Sequence, residues 1–294
     1  IASGSQPTRE EISERVHQFR QLPGMEISEG EADRLCREIE SSLDITMDIG
    51  SVIQEEFAEW LDAEKANIDP YYWERYRQYL GNKGFPSRVI SRLDEVTDRT
   101  LGLLERPSKT GPWDRRGMVV GHVQSGKTAN YTGLICKAAD AGYKLIVVIA
   151  GIHNNLRNQT QARIDEGFVG RDSGALLNDN KKKVVGAGLF GAKEFPLTVT
   201  NTTRDFNKQT ATTLGVELRA LKVPAVLVIK KNASTLKHLN DWLMAHNARG
   251  ESNLVDAPML LIDDEADNAS IDISSDPEQS STINRRIRKL LKMF

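Results

Sequence analysis

Short, unbroken aliphatic runs set between helical stretches restrict this chain more than any other feature. "LIVVIA" at 145–150, "AVLVI" at 225–229 and "MLLI" at 259–262 contain no polar residue. A strand with one wet face alternates polar and apolar positions. A strand with none is buried on both faces, as in a parallel sheet covered by helices. Segments at helical spacing lie among them: "TANYTGLICKAADAG", "NNLRNQTQARIDE" and "STLKHLNDWLMAH". Two further runs, "GMVVG" and "FPLTVT", also read as strands. The expected class is α/β. At 294 residues and 39% hydrophobic composition, the chain can build one large domain or two ordinary ones.

Residues 1–106 read differently, as helices. "SEGEADRLCREIESSL" and "GSVIQEEFAEWLDAEK" space their apolar residues helically, and Ser28 is placed to cap the first of these. Pro86 opens another, "PSRVISRLDEVTDRTLGLLE". "YYWERYRQY" interleaves aromatics with arginines. It suits either a helical core or a base-stacking surface. The turn-rich "PSKTGPWDR" at 107–115 marks a boundary. "NDNKKK" at 178–183 reads as a solvated loop.

"GHVQSGKTAN" follows the apolar Met118–Val120 and precedes a helix that should end near Gly142. Gly121, Gly126, Lys127 and Thr128 satisfy G-x-x-x-x-G-K-[ST], in the strand–loop–helix context that a phosphate-binding loop requires. Glycines admit phosphate oxygens close to the backbone, and the loop amides and helix start then face the anion. Gln124 and Ser125 belong to the same cradle. Lys127 is expected on the β- and γ-phosphates of ATP, and the Thr128 hydroxyl on Mg²⁺. Such a loop needs a carboxylate at the end of a neighbouring strand, and "PMLLIDDEADNAS" supplies Asp263, Asp264 and Glu265. Asp264 is assigned to Mg²⁺, Asp263 is ambiguous and can share that role, and Glu265 is assigned to the attacking water.

"DEAD" at 264–267 is also a helicase tetrapeptide. Leu156 and Gln159 have the Leu-x-x-Gln spacing that opens a strand-contacting helix in helicases and restriction translocases. Arg157, Asn158 and Arg163 could add phosphate contacts there, and Lys230 and Lys231 could do so at the next strand end. An ordinary polar helix start and a solvated strand end account for the same residues. Trp113 and Arg115 are candidates to lie near a base, and no adenine-reading Gln segment precedes the loop.

The glycine-rich stretch from Gly121 to Phe168, taken with "LLIDDEADNASID", resembles the Z1 domain family. These are bacterial P-loop proteins related to superfamily-two helicases and associated with endonuclease, restriction-modification and phage-defence systems. Some lie beside MutL-like or MORC-like ATPases. The resemblance covers about residues 110–294. It implies a RecA-like, helicase-type P-loop NTPase sheet with flanking helices, preceded by an all-α N-terminal domain. Residues 1–106 would be the helical accessory domain and 107–294 the first RecA-like domain. It also implies Gly126, Lys127 and Thr128 as phosphate and Mg²⁺ ligands, and Asp264 with Glu265 as the acidic pair. Relatives continue past "INRRIRKLLKMF" into a second RecA-like domain carrying an arginine finger, so the chain reads as a fragment. The expected activity is ATP hydrolysis coupled to movement or remodelling of DNA. The alternatives are an ATP-driven switch that recruits a nuclease or MutL-like partner, and an endonuclease.

Other classes have less support. A net charge of -2 excludes a uniformly basic nucleic-acid coat. Cys36 and Cys136 form no CxxC, which argues against structural zinc and fits a reduced, cytoplasmic setting. No apolar run approaches the roughly 20 residues of a membrane helix. The one acid-x-Lys nuclease match, Asp179–Lys181, lacks a preceding strand-borne acid, and the five histidines are scattered.

Overall fold

The computed structural model describes residues 9–20, 28–32, 35, 57–120, 126–174, 183–213, 215–250, 253–267, 270 and 281–294. Four strands form one parallel sheet in the order β2-β3-β1-β6: β1 (Leu145–Ala150), β2 (Leu197–Thr198), β3 (Ala225–Lys230) and β6 (Met259–Asp263). Leu145 pairs with both Ala225 and Met259, so the strand ends are level. A small antiparallel ribbon, β4 (Ala248–Arg249) with β5 (Leu254–Val255), stands apart.

The unbroken aliphatic runs are explained by burial on two faces. Ile146, Val148, Ala150, Val226, Val228 and Leu260 point into one core. Their neighbours Leu145, Val147, Ile149, Ala225, Leu227 and Ile229 point into the other. This is the period-two alternation of a strand, made invisible in the sequence because both sides need apolar residues.

The first core is covered by three helices, α3 (Tyr71–Asn82), α4 (Ser87–Leu103) and α5 (Lys127–Ala141), all preceded in the chain by α1 (Arg9–Arg20) and α2 (Leu61–Glu64). Helix α5 is buried from Tyr131 to Ala139, because it lies between the sheet and the helices outside it. Gly133 permits that approach, since a Cβ there would sit 3.2 Å from both Trp73 and Thr97. Lys137 emerges from α5 beneath α4. Its ammonium is bound by Asp94 and, at 2.5 Å, by Asp98, and lies 4.4 Å over the Trp73 ring. Asp140, at the other end of α5, accepts from the Tyr72 and Trp73 amides at 2.8 and 2.9 Å, capping α3 from outside its own sequence. Tyr72, Trp73, Tyr76 and Arg75 are thus interior, which makes "YYWERYRQY" a core helix rather than a base-stacking surface. Packing is continuous across residue 107, because Trp60, Trp73 and Leu93 share a cluster with Ile135 and Val148.

The second core is covered by α8 (Ala233–His246) and α9 (Thr282–Leu291). Asn232 caps α8 through its side chain. Between β1 and β2 runs α6 (Asn154–Ile164), and before α8 lies the short α7 (Lys208–Thr213). Ser28 caps its helix as expected, and Glu31 returns the contact in a reciprocal capping box. Most of the helices expected over 28–43, and residues 50–56 of the next, lie outside the described residues.

One expected strand is missing. Met118–Val120 lies off the sheet, 85%, 62% and 83% exposed. β-Propensity supplies no hydrogen-bond partner by itself. Both sides of β1 are taken by β3 and β6, and this three-residue run joins neither remaining edge.

Candidate functional site

Parallel strands deliver their carboxyl ends to one edge, where α/β proteins gather their chemistry. At that edge β1 runs into Gly151, β3 into Lys231 and β6 into Asp263–Glu265. Helix α5 begins there too, and it packs against β6.

The start of α5 has no side-chain cap for its first amides. The residue at the cap position, Gly126, has φ 73°, a left-handed conformation natural to glycine. Lys127 is exposed and makes no hydrogen bond or ion pair among the described residues. Thr128 is half-buried, and its hydroxyl accepts from Arg163 Nη1 at 3.1 Å. Gly121, Gln124 and Ser125, together with His122, lie outside the described residues. Gly142 ends α5 at φ 110°, as expected.

The acidic segment is held as tightly as a core element. Asp264 N–H donates to Ile149 O at 2.9 Å, extending the ladder one residue past β6. Lys231, whose side chain is fully buried, pairs with Asp263 Oδ1 at 2.9 Å. That approach is an ion pair rather than a directed hydrogen bond, since Asp263 Oδ1 has no hydrogen-bond donor. The same ammonium donates to the carbonyls of Asp264 and Glu265, at 2.9 and 2.6 Å. Glu265 is exposed and held at φ 53°, a conformation that costs a non-glycine residue about 1–2 kcal/mol. Backbone strain of this kind gathers at functional sites. Its carboxylate lies over Gly151, where an added Cβ would stand 3.3 Å from Oε2 and 2.9 Å from Leu156 Cδ1.

Tyr131, one turn into α5, joins the two halves. Burial first, then the Asp264 carboxylate, pushes its hydroxyl up to about 12, while the Thr128 and Thr160 hydroxyls hold it down. Thr128 and Asp264 therefore flank one buried side chain. Hydroxyl and carboxylate oxygens are the hard donors Mg²⁺ prefers, so the residues present fit that ion.

The expected nucleic-acid contacts divide. Leu156 and Gln159 are exposed on α6, and Lys230 is half-buried at its strand end. Arg157 and Lys231 face inward instead. Arg157 is 1% exposed and donates to Val228 O and Arg204 O, each at 3.0 Å, and to Gln161 at 3.3 Å. Gln161 continues that network to Asp165 and Thr200. Burial lowers the Arg157 guanidinium and raises Asp205, its partner at 4.0 Å, so desolvation outweighs their attraction. Both cations read as surface contacts because their neighbours are polar, yet each satisfies backbone carbonyls that the strand ends leave open. Trp113 packs edge-on against Tyr143, and Arg115 lies 4.0 Å over the Phe57 ring and donates to Leu103 O at 3.1 Å. Asp179–Lys181 lies outside the described residues.

The fold and site define an α/β protein whose four-stranded parallel sheet carries an open helix start and an acidic strand end on one edge, compatible with a RecA-like arrangement. The chain matches no family model, no curated protein and no solved structure. Among the described residues, no helix is long and apolar enough to cross a membrane.

Proposed function

We propose that this chain binds and hydrolyses ATP with Mg²⁺, as a helicase-like P-loop ATPase acting on DNA in a cytoplasmic restriction or phage-defence complex. The observation that carries the nucleotide reading is that Thr128, at an uncapped helix start packed against β6, and Asp264, at a braced strand end, both neighbour Tyr131. Gly126 and the first amides of α5 would cradle the phosphates, and Lys127 would reach the β- and γ-oxygens. Thr128 and Asp264 would hold Mg²⁺, which when bound offsets phosphate charge. Glu265 would orient the attacking water and take its proton. ATP is preferred over GTP because of the helicase resemblance and because no guanine-reading Asn-Lys-x-Asp is present.

The DNA half of the proposal rests on the resemblance to Z1 proteins and on one further feature. Arg285, Arg288, Lys289 and Lys292 are all exposed, at the i, i+3, i+4, i+7 spacing of a single face of α9 and its end. The opposite face, with Ile283, Ile287 and Leu290, enters the second core. None of the four pairs with a carboxylate among the described residues, and such a stripe suits a phosphate backbone.

The test is ATP turnover by the intact protein with and without single- and double-stranded DNA, beside Lys127→Ala and Glu265→Gln. DNA-stimulated turnover that both substitutions abolish supports the motor. Tight Mg·ATP binding without turnover under any DNA supports a switch that recruits a nuclease or a MutL-like or MORC-like partner. Cleavage that survives Lys127→Ala would locate a nuclease elsewhere.

A further inference from the structure

One contact at the start of α5 has no part in the scheme above. Arg163, in the last turn of α6, is exposed, and its guanidinium is spent on the hydroxyl of Thr128. It forms no ion pair with a carboxylate among the described residues. Its neighbours at Tyr131 are Thr128, Thr160 and Asp264. Arg157, on the same helix, is sunk among backbone carbonyls and is not available for chemistry. Arg163 is therefore the cation that α6 offers to the site.

We infer that Arg163 is a catalytic arginine supplied by the same chain, set by its contact with Thr128 beside the place of the γ-phosphate. This rests on the nucleotide reading of the site. The reasoning is electrostatic. A guanidinium and a divalent cation repel each other strongly at contact distance, so they do not share one hydroxyl comfortably. Where Thr128 held a divalent cation, Arg163 would turn from that hydroxyl to the nearest anion, the phosphate that Thr128 borders. An exposed arginine makes that turn by changing rotamers, with no movement of the fold. Its planar fork then matches two phosphate oxygens. In the reaction, a water oxygen bonds to the γ-phosphorus and the bond to the β,γ-bridging oxygen breaks. The electron pair leaves on ADP, and the water proton passes to Glu265 and on to the released phosphate. Charge grows on the bridging and equatorial oxygens, where Arg163 offsets it.

The experiment compares the intact wild type with Arg163→Ala, Arg163→Lys and Lys127→Ala. Each is measured for Mg·ATP affinity, single-turnover rate and the Mg²⁺ concentration giving half-maximal binding. Arg163→Ala should slow turnover by about 100-fold or more while changing Mg·ATP affinity by no more than about threefold. It should also lower the half-saturating Mg²⁺ concentration, because the competitor for Thr128 is gone. A residue that merely supports the fold has no reason to produce that shift. Arg163→Lys should keep binding and recover only part of the rate. Turnover within about threefold of wild type in Arg163→Ala overturns the role, as does loss of binding and rate together. If the wild type binds Mg·ATP but never turns it over, the catalytic role falls and the nucleotide site stands. If the wild type does not bind, or Lys127→Ala binds and turns over normally, the nucleotide reading itself fails and Arg163 with it.

Discussion

At the scale of single residues, the buried Lys231 and the half-buried Asp140 make measurable predictions. Lys231 holds Asp263 and two carbonyls of the acidic segment from a fully buried position. Lys231→Met removes the partner of a carboxylate and frees the strained Glu265 backbone. Denaturant unfolding should show a loss of about 3 kcal/mol. Turnover should fall even where folding is restored by temperature, since Glu265 is no longer aimed. Asp140 gives a pH prediction. Burial pushes it up to about 7, against the two amides of α3 that hold it down. The folded protein then keeps a proton that the unfolded chain releases near pH 4. This group therefore lowers stability as pH rises from about 4 to about 7, and nothing more is lost above that. Asp140→Asn keeps an acceptor for α3 without the titration. Its stability relative to wild type should rise across that window and level off above it. A difference that stays flat from pH 4 to 7 would contradict the burial argument.

At the scale of elements, α6 is fastened to the sheet by one buried guanidinium rather than by apolar packing alone. Arg157 satisfies Val228 O in β3 and Arg204 O in the loop before α7. Arg157→Met leaves both carbonyls and Gln161 short of a donor, and should cost about 2–3 kcal/mol in equilibrium unfolding. The same helix presents Leu156 and Arg163 to the site, so its loosening should also weaken the Arg163–Thr128 contact. Between β1 and α6, Gly151 leaves room for the Glu265 carboxylate. Gly151→Ala forces Leu156 or Glu265 aside, and should slow turnover with little loss of Mg·ATP affinity. Unchanged turnover in that variant would mean that the Glu265 carboxylate does not work from this position.

At the scale of the whole molecule, helices α2, α3 and α4 and one face of the sheet share a core. A buried interface of this kind couples the unfolding of both sides. Hydrogen exchange in mild denaturant should show amides of α4 and β3 converging on one global opening free energy. Two separate plateaus would mean two independent units. Mg·ATP at about 100 times its dissociation constant should stabilise both by about 2.7 kcal/mol.

Much of this architecture was legible in the sequence. Unbroken Val/Ile/Leu runs mean strands buried on both faces, and β1, β3 and β6 are those strands. Pro86 and Gly142 bound their helices through local backbone chemistry that needs no distant partner. Gly126–Thr128 and Asp263–Glu265 stood out because their types and spacing carry the pattern within a few residues. What the sequence could not settle was every property that depends on a partner far along the chain. Met118–Val120 had the composition of a strand and found no edge. Arg157 and Lys231 looked like surface cations and became the donors for open carbonyls in the interior. Arg163 was one of two arginines on a polar helix until the fold set it against Thr128, 35 residues away. Local periodicity and backbone preference act within one element and can be read from it. Burial, pairing and the direction of a long side chain are decided by which elements meet, and only the tertiary structure holds that information.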